Sequence, residues 1–200
     1  MITQTKQTQD KLSSKEAYQI LVEGNKRFVE NKKVSRDLPE QVQTTSAGQY
    51  PFAAVLSCID SRVPAEIVFD QGIGDIFSAR VAGNIVNEDI LGSIEYACKV
   101  AGSKIVVVMG HTKCGAVTAA CQHVELGNIT ALLSKIKPAV EAIKPTETQE
   151  SIEEVSVKNV QNSIETIKEK SAILREMEAN NEIEIVGAIY SVESGKVEFL

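Results

Sequence analysis

The sequence predicts an α/β fold: a mostly parallel central β-sheet flanked by helices, with an N-terminal helical arm and an antiparallel C-terminal edge strand. Three observations predict it. Four short apolar runs lie at 52–56, 76–81, 105–109 and 183–190, and three of them are β-branched and nearly continuous, as strands buried on both faces are. Helical patterns at 65–69, 89–101, 116–126 and about 151–179 separate them, so strand and helix alternate. The turn signal Glu193-Ser194-Gly195 precedes a last run, 196–200, which is expected to pair antiparallel with the run before it.

The remaining elements follow in chain order. Residues 14–31 place Ala17, Ile20, Leu21, Phe28 and Val29 near helical spacing, with Ser13 and Ser14 as N-caps. Gly24 is expected to interrupt that helix. Residues 32–50 are polar and read as linker and loop, with a short helix after Pro39. Residues 127–150 read as helical, broken by Pro138 and Pro145. Residues 1–50 carry too little apolar content to stand alone, so this arm is expected to pack on the core, 51–200, or on a second subunit. The 200 residues form one domain.

Composition narrows the function classes. Hydrophobic residues at 43% and charged residues at 24% fit a soluble globular protein. A net charge of −6 argues against a nucleic-acid partner. No apolar run reaches the ~18–20 residues that span a bilayer, so no membrane partner is expected. The polar stretch 1–11 lacks a secretory h-region, which makes a cytoplasmic location the expectation. The four cysteines then read as thiols or metal ligands rather than disulfides.

The chemistry-bearing residues sit where strands end. Cys58 closes the first run; His111 and Cys114 follow the third, with Gly110 read as the turn. Ligands of open parallel sheets bind at the carboxyl ends of strands. Two adjacent strand ends can bring Cys58, His111 and Cys114 to one metal. Two thiolates and an imidazole suit zinc and leave a fourth position open. The plainer alternative is a buried structural cysteine and a capping histidine. Cys98 and Cys121 lie in helical patterns and read as core thiols; His123 reads as a surface or boundary residue. In Cys58-Ile59-Asp60-Ser61-Arg62 an acid and a base two apart form a candidate ion pair beside the metal, and Asp60 can also take the fourth zinc position. The alternative there is a weak surface salt bridge. In Arg80-Val81-Ala82-Gly83-Asn84 the small residues let backbone approach a site, or form an ordinary turn.

Together, Cys58-x-Asp60-Ser61-Arg62, Ala82-Gly83-Asn84, Ser93-Ile94-Glu95-Tyr96 and His111-Thr112-Lys113-Cys114-Gly115 resemble the β-class carbonic anhydrases, with an active site of the plant-like type. Glu23-Gly24-Asn25-x-Arg27-Phe28 and Gly187-Ala188-x-Tyr190 extend the resemblance over about residues 15–200. It implies zinc-dependent interconversion of carbon dioxide and bicarbonate, and a homodimer or homotetramer built through the N-terminal arm. It implies that Asp60 orients the attacking oxygen and that Arg62 holds Asp60 off the metal. By the same resemblance Gln49 donates to a substrate oxygen, Phe77, Ala82 and Tyr96 wall an apolar pocket, and Gly115 borders it. In such dimers Gln49, Phe77 and Tyr96 need not come from the subunit that holds the zinc. Core packing is the plain alternative for Phe77 and Tyr96, and a polar loop for Gln49. Some bacterial relatives have a second, inhibitory bicarbonate pocket that uses a tryptophan; this chain has none, and Val55 stands at the matching position, although Arg80 matches that pocket's arginine. The motifs leave open a related hydrolase of carbonyl sulfide or carbon disulfide, and a non-catalytic zinc-binding homologue. A redox protein is disfavoured because no Cys-x-x-Cys occurs.

Overall fold

A computed structural model describes residues 3–200. Its core is one five-stranded sheet: β1 (Ala53–Ser57), β2 (Ile76–Arg80), β3 (Ile105–His111), β4 (Glu184–Tyr190) and β5 (Val197–Phe199), in the order β2-β1-β3-β4-β5. The first four strands are parallel and β5 is antiparallel to β4. β1 and β3 are buried along their whole length, which their apolar runs require. β2 alternates in burial at the open edge.

Alternate side chains of the strands feed two cores. Val55 and Val107 face Ala17 and Leu21 of α2 (Ser14–Val29) and Ala65 and Val68 of α4 (Ala65–Val68). Leu56, Val106 and Val108 face Ile90, Leu91 and Ile94 of α5 (Glu88–Glu95), Val160 and Ile167 of α9 (Gln149–Lys170) and Leu174 of α10 (Ala172–Ala179). A third cluster joins α6 (Gly115–Cys121), α8 (Lys137–Ile143) and the start of α9 around Cys58 and Cys114. The shorter helices α1 (Lys6–Lys11), α3 (Leu38–Thr45) and α7 (Gly127–Leu133) complete the chain.

Register positions the site. Ser57 lies opposite Met109, so the residue after β1, Cys58, emerges level with the end of β3.

The structure departs from the sequence reading at several points, each with a physical cause. Gly24 does not break α2. It is buried where the helix crosses the end of α4, and a Cβ there would lie 1.9 Å from the Phe69 carbonyl oxygen. Gly110 is not a turn; β3 continues through it to His111, and a Cβ would meet Val160 of α9 at 2.8 Å. The helix 89–101 passes into a π turn at Tyr96–Val100. The helical stretch 151–179 divides at Ser171, whose side chain caps α10. A helix at Lys6–Lys11, capped by Thr5, precedes the predicted one. Pro138 starts α8 instead of ending a helix. Of the arm's two expected resting places, the core takes part of the apolar stripe: Ala17 and Leu21 are fully buried, Ile20 and Phe28 pack against the same cluster, and Val29 stays exposed. Met1 and Ile2, part of the polar amino-terminal stretch, lie outside the described residues.

Ser13 is the N-cap of α2, completing a capping box with Glu16. Residues 32–50 hold the short α3 after Asp37. A buried carboxylate ties this region down: Asp70 accepts from Arg27 Nε at 2.6 Å, Arg36 Nη1 at 2.6 Å and the Val34 amide at 3.2 Å. Among the described residues, no helix is long and apolar enough to cross a membrane.

Candidate metal centre

The ligand atoms of Cys58, His111 and Cys114 lie within 4.8 Å of one another, and all three residues are buried. Cys58 comes from the loop after β1, His111 from the last position of β3, and Cys114 from the residue that precedes α6. Lys113 between the last two is left-handed, with φ 54°, and this bends the chain so that Cys114 turns back toward His111.

The donor set fits a soft divalent ion. The Nδ1 of His111 is engaged at 2.9 Å with the Thr112 carbonyl, which assigns the proton to Nδ1. Its Nε2 is then a lone-pair donor, and it is buried with no hydrogen-bond partner among the described residues. A buried, unpartnered nitrogen between two thiols is an uncompensated cost in a metal-free protein and a ligand in a loaded one. The two thiols shift one another in opposite directions: the contact with Cys114 lowers the pKa of Cys58, and Cys58 together with burial raises that of Cys114. Burial opposes protonation of His111, but the neighbouring Cys58 outweighs it and raises its pKa. All four cysteines are free.

Backbone and neighbouring loops shape the thiolate. The Gly83 amide donates to Cys58 Sγ at 3.3 Å. Gly83 has φ 67° and sits in a short 3-10 turn, Ala82–Asn84, so glycine permits the turn that aims this N–H. The turn is in turn held by α9: Asn159 donates to the Gly83 carbonyl at 2.8 Å and Ser163 to that of Asn84 at 3.2 Å.

Asp60 and Arg62 form a two-point pair, Nε to Oδ1 at 2.9 Å and Nη2 to Oδ2 at 2.7 Å. The Arg62 bond holds the Asp60 carboxyl at about 2, well below its ordinary range. Asp60 Oδ2 is 3.9 Å from His111 Nε2, so it borders the metal position. Arg62 Nη2 also reaches the Lys113 carbonyl at 3.2 Å. Among the described residues Arg80 has no carboxylate partner; it donates to the Cys58 and Asp60 carbonyl oxygens at 3.0 and 2.6 Å and so braces the loop between them.

The other candidate residues divide. Ala82 lies in the turn beside Cys58, and Gly115 is exposed at the start of α6. Phe77 and Tyr96 meet edge to face, 6.3 Å between centroids, in an open cleft of 780 Å³ on the β2 edge whose lining does not include the metal ligands. Phe77 pairs with Ala54, at the opposite end of β1 from Cys58. Gln49 is exposed and precedes β1, also at its amino end. Within one chain, these three are not brought to the metal ligands. Cys98 is buried, and burial pushes its thiol up to about 12; Cys121 is half-buried and His123 exposed. The sequence reading passed over Asn159, Ser163 and Glu153, whose carboxylate accepts from the Lys113 amide at 2.8 Å. All three are polar residues in one helix pattern, and only the packing of α9 on β3 reveals their targets.

The sheet, with a Cys-His-Cys cluster at the carboxyl ends of neighbouring parallel strands, defines an α/β protein whose donor set could hold a metal ion. The comparisons with known proteins specify it further. The family profile described as Carbonic anhydrase matches residues 53–197, and the chain belongs to that family, in its β class. A Mycobacterium tuberculosis protein named carbonic anhydrase 2 is 34% identical over 188 residues, covering 90% of this chain and 89% of the relative. A carbonic anhydrase of Mycolicibacterium smegmatis is 40% identical over 132 residues, 65% of this chain and 63% of the relative. The crystal structure of a β-carbonic anhydrase of Aspergillus fumigatus superposes with a TM-score of 0.74 at 28% identity, covering 81% of each chain. A tetrameric β-carbonic anhydrase of Sordaria macrospora shares the fold, with a TM-score of 0.75 at 23% identity over 92% of this chain and 97% of that one.

Proposed function

We propose that this chain catalyses the reversible hydration of carbon dioxide to bicarbonate and a proton, with one zinc ion held by Cys58, His111 and Cys114. The convergence of three buried ligand atoms within 4.8 Å, one of them an unpartnered Nε2, is the observation that carries this reading. When bound, zinc lowers the pKa of a coordinated water from about 15.7 toward neutrality and so supplies a nucleophile. The protein's own groups do the rest. Two thiolates keep the centre less electrophilic than three imidazoles would, which favours activity on the alkaline side. The Gly83 amide takes up part of the Cys58 charge. Asp60 accepts a hydrogen bond at the open side and orients the attacking oxygen. Arg62, by holding both carboxylate oxygens, keeps Asp60 from closing that position.

The substrate pocket belongs to an assembly in this reading. Gln49, Phe77 and Tyr96 act on the zinc of a neighbouring subunit, with Ala82 and Gly115 supplied by the subunit that holds the metal. The aromatic pair on the open β2 edge, with Tyr96 52% exposed, supports a homodimer or homotetramer that covers this cleft. An apolar wall suits a substrate without a net dipole, and an amide donates to bicarbonate without adding charge. The proposed location is the cytoplasm, where the four thiols stay reduced.

The test is the rate of carbon dioxide hydration against pH, with zinc content measured on the same sample. Activity proportional to zinc, rising toward alkaline pH, supports the proposal; a fully zinc-loaded protein without activity overturns it.

A further inference from the structure

We infer that Glu153 is a positioning residue for the metal centre, acting on His111 through the intervening peptide. The inference rests on the reading of His111 as a ligand. Four groups lie in line. His111 Nδ1–H donates to the Thr112 carbonyl at 2.9 Å. That carbonyl belongs to the same peptide unit as the Lys113 amide, which donates to Glu153 Oε1 at 2.8 Å. A carboxylate pulling on the N–H end of a peptide makes its oxygen a stronger acceptor. The Thr112 oxygen therefore holds the Nδ1 proton more firmly, fixes the tautomer that frees Nε2, and raises the basicity of that nitrogen as a ligand. Metal-bound histidines commonly gain this from a carboxylate or carbonyl in direct contact. Here the two are in series, with the carboxylate one peptide removed.

The surroundings fit a dedicated role. Glu153 stands on α9, forty residues from the turn it holds, so the contact is tertiary. Its Oε1 also accepts from Gln149 one helical turn earlier, which orients the carboxylate. Its Oε2 is buried with no partner among the described residues, an expense for a helix residue that packing alone does not require. The next peptide is clamped too, because Arg62 donates to the Lys113 carbonyl. Glu153 and Arg62 thus hold consecutive peptides of the left-handed turn between His111 and Cys114, and the distance between those two ligands depends on that turn.

The test uses Glu153→Gln, which keeps an oxygen acceptor but loses the charge, and Glu153→Ala, which loses both. Zinc transfer to a chromophoric chelator is timed for each, and the imidazole Nδ1–H resonance of His111 is followed by ¹⁵N–¹H correlation; with two histidines in the chain, a His123→Gln background assigns it. The expected order of zinc loss is wild type, then Gln, then Ala, with Ala roughly tenfold or more faster. The Nδ1–H resonance is expected to move upfield in the same order. A role limited to packing predicts that the isosteric Gln variant matches wild type in both readings. Zinc-loaded wild type with unchanged release and resonance in both variants overturns this inference and leaves the ligand assignment standing. A wild-type protein that takes up no zinc overturns the assignment, and this inference with it.

Discussion

Asp60 Oδ2 stands 3.9 Å from His111 Nε2, while both its oxygens are engaged by Arg62. The carboxylate is near enough to serve the metal position and is tethered away from it. Asp60→Ala is expected to lower hydration roughly 10²-fold with zinc retained, and Arg62→Ala by about tenfold, since the arginine acts through Asp60. Metal analysis alongside steady-state rates checks both; wild-type rates in the two variants contradict the orienting role.

Cys114→Ser is expected to lose zinc, because an alcohol is not deprotonated as a thiol is and the turn at Lys113 offers no substitute donor. Wild type is expected to hold about one zinc per chain. Elemental analysis after dialysis decides, and full occupancy in the variant disproves the ligand set.

Gly24→Ala separates helix propensity from packing. Propensity alone predicts a gain of about 1 kcal/mol in a helix interior. The added Cβ would lie 1.9 Å from the Phe69 carbonyl oxygen, so a net loss of roughly 1–3 kcal/mol is expected instead. Denaturant midpoints measured at constant slope give the sign.

Asp70 predicts an acid-limb effect. Burial raises its pKa, yet the bonds from Arg27, Arg36 and the Val34 amide outweigh this and leave it below the ordinary value. A carboxyl depressed on folding contributes fully above its unfolded value of about 3.9 and loses that contribution as the pH falls through the folded value. Asp70→Asn is therefore expected to cost roughly 3 kcal/mol at neutral pH, with the gap to wild type narrowing below about pH 4. Urea titrations between pH 7 and 3 test it; a gap independent of pH would count against the ion pairs.

Bicarbonate is expected not to act as a strong allosteric inhibitor. Val55 is a buried apolar residue without an N–H donor on its side chain, and two of the three Arg80 guanidinium nitrogens already donate to the Cys58 and Asp60 carbonyls. A coupling needs an anion that prefers the closed state. Sigmoidal inhibition near neutral pH would contradict this expectation.

The strands and the three clustered ligands were legible because their signals are local. β-branched runs mark β1 and β3, and a cysteine or histidine at a strand end falls at the sheet's carboxyl edge. The glycines were misread because their reason is a neighbour: Gly24 is fixed by the approach of α4, and Gly110 by that of α9. The break at Ser171 has no local mark in the stretch 151–179, because a serine fits a helix interior as well as the cap of α10 that it forms. Glu153, Asn159 and Ser163 had no sequence signal, since polar residues in a long helix usually meet solvent, and what they bind is backbone far away in the chain.

The three donors are all synthesised before any residue of α9, yet α9 supplies the side chains that set both the Gly83 turn and the Lys113 turn. On a ribosome the ligands therefore emerge as an unbraced set, and the pocket acquires its final bite only when this helix docks across the sheet. In the proposed zinc enzyme, tight capture of the ion would then wait on this helix, and a cell short of zinc would meet two thiols and a bare imidazole in its place.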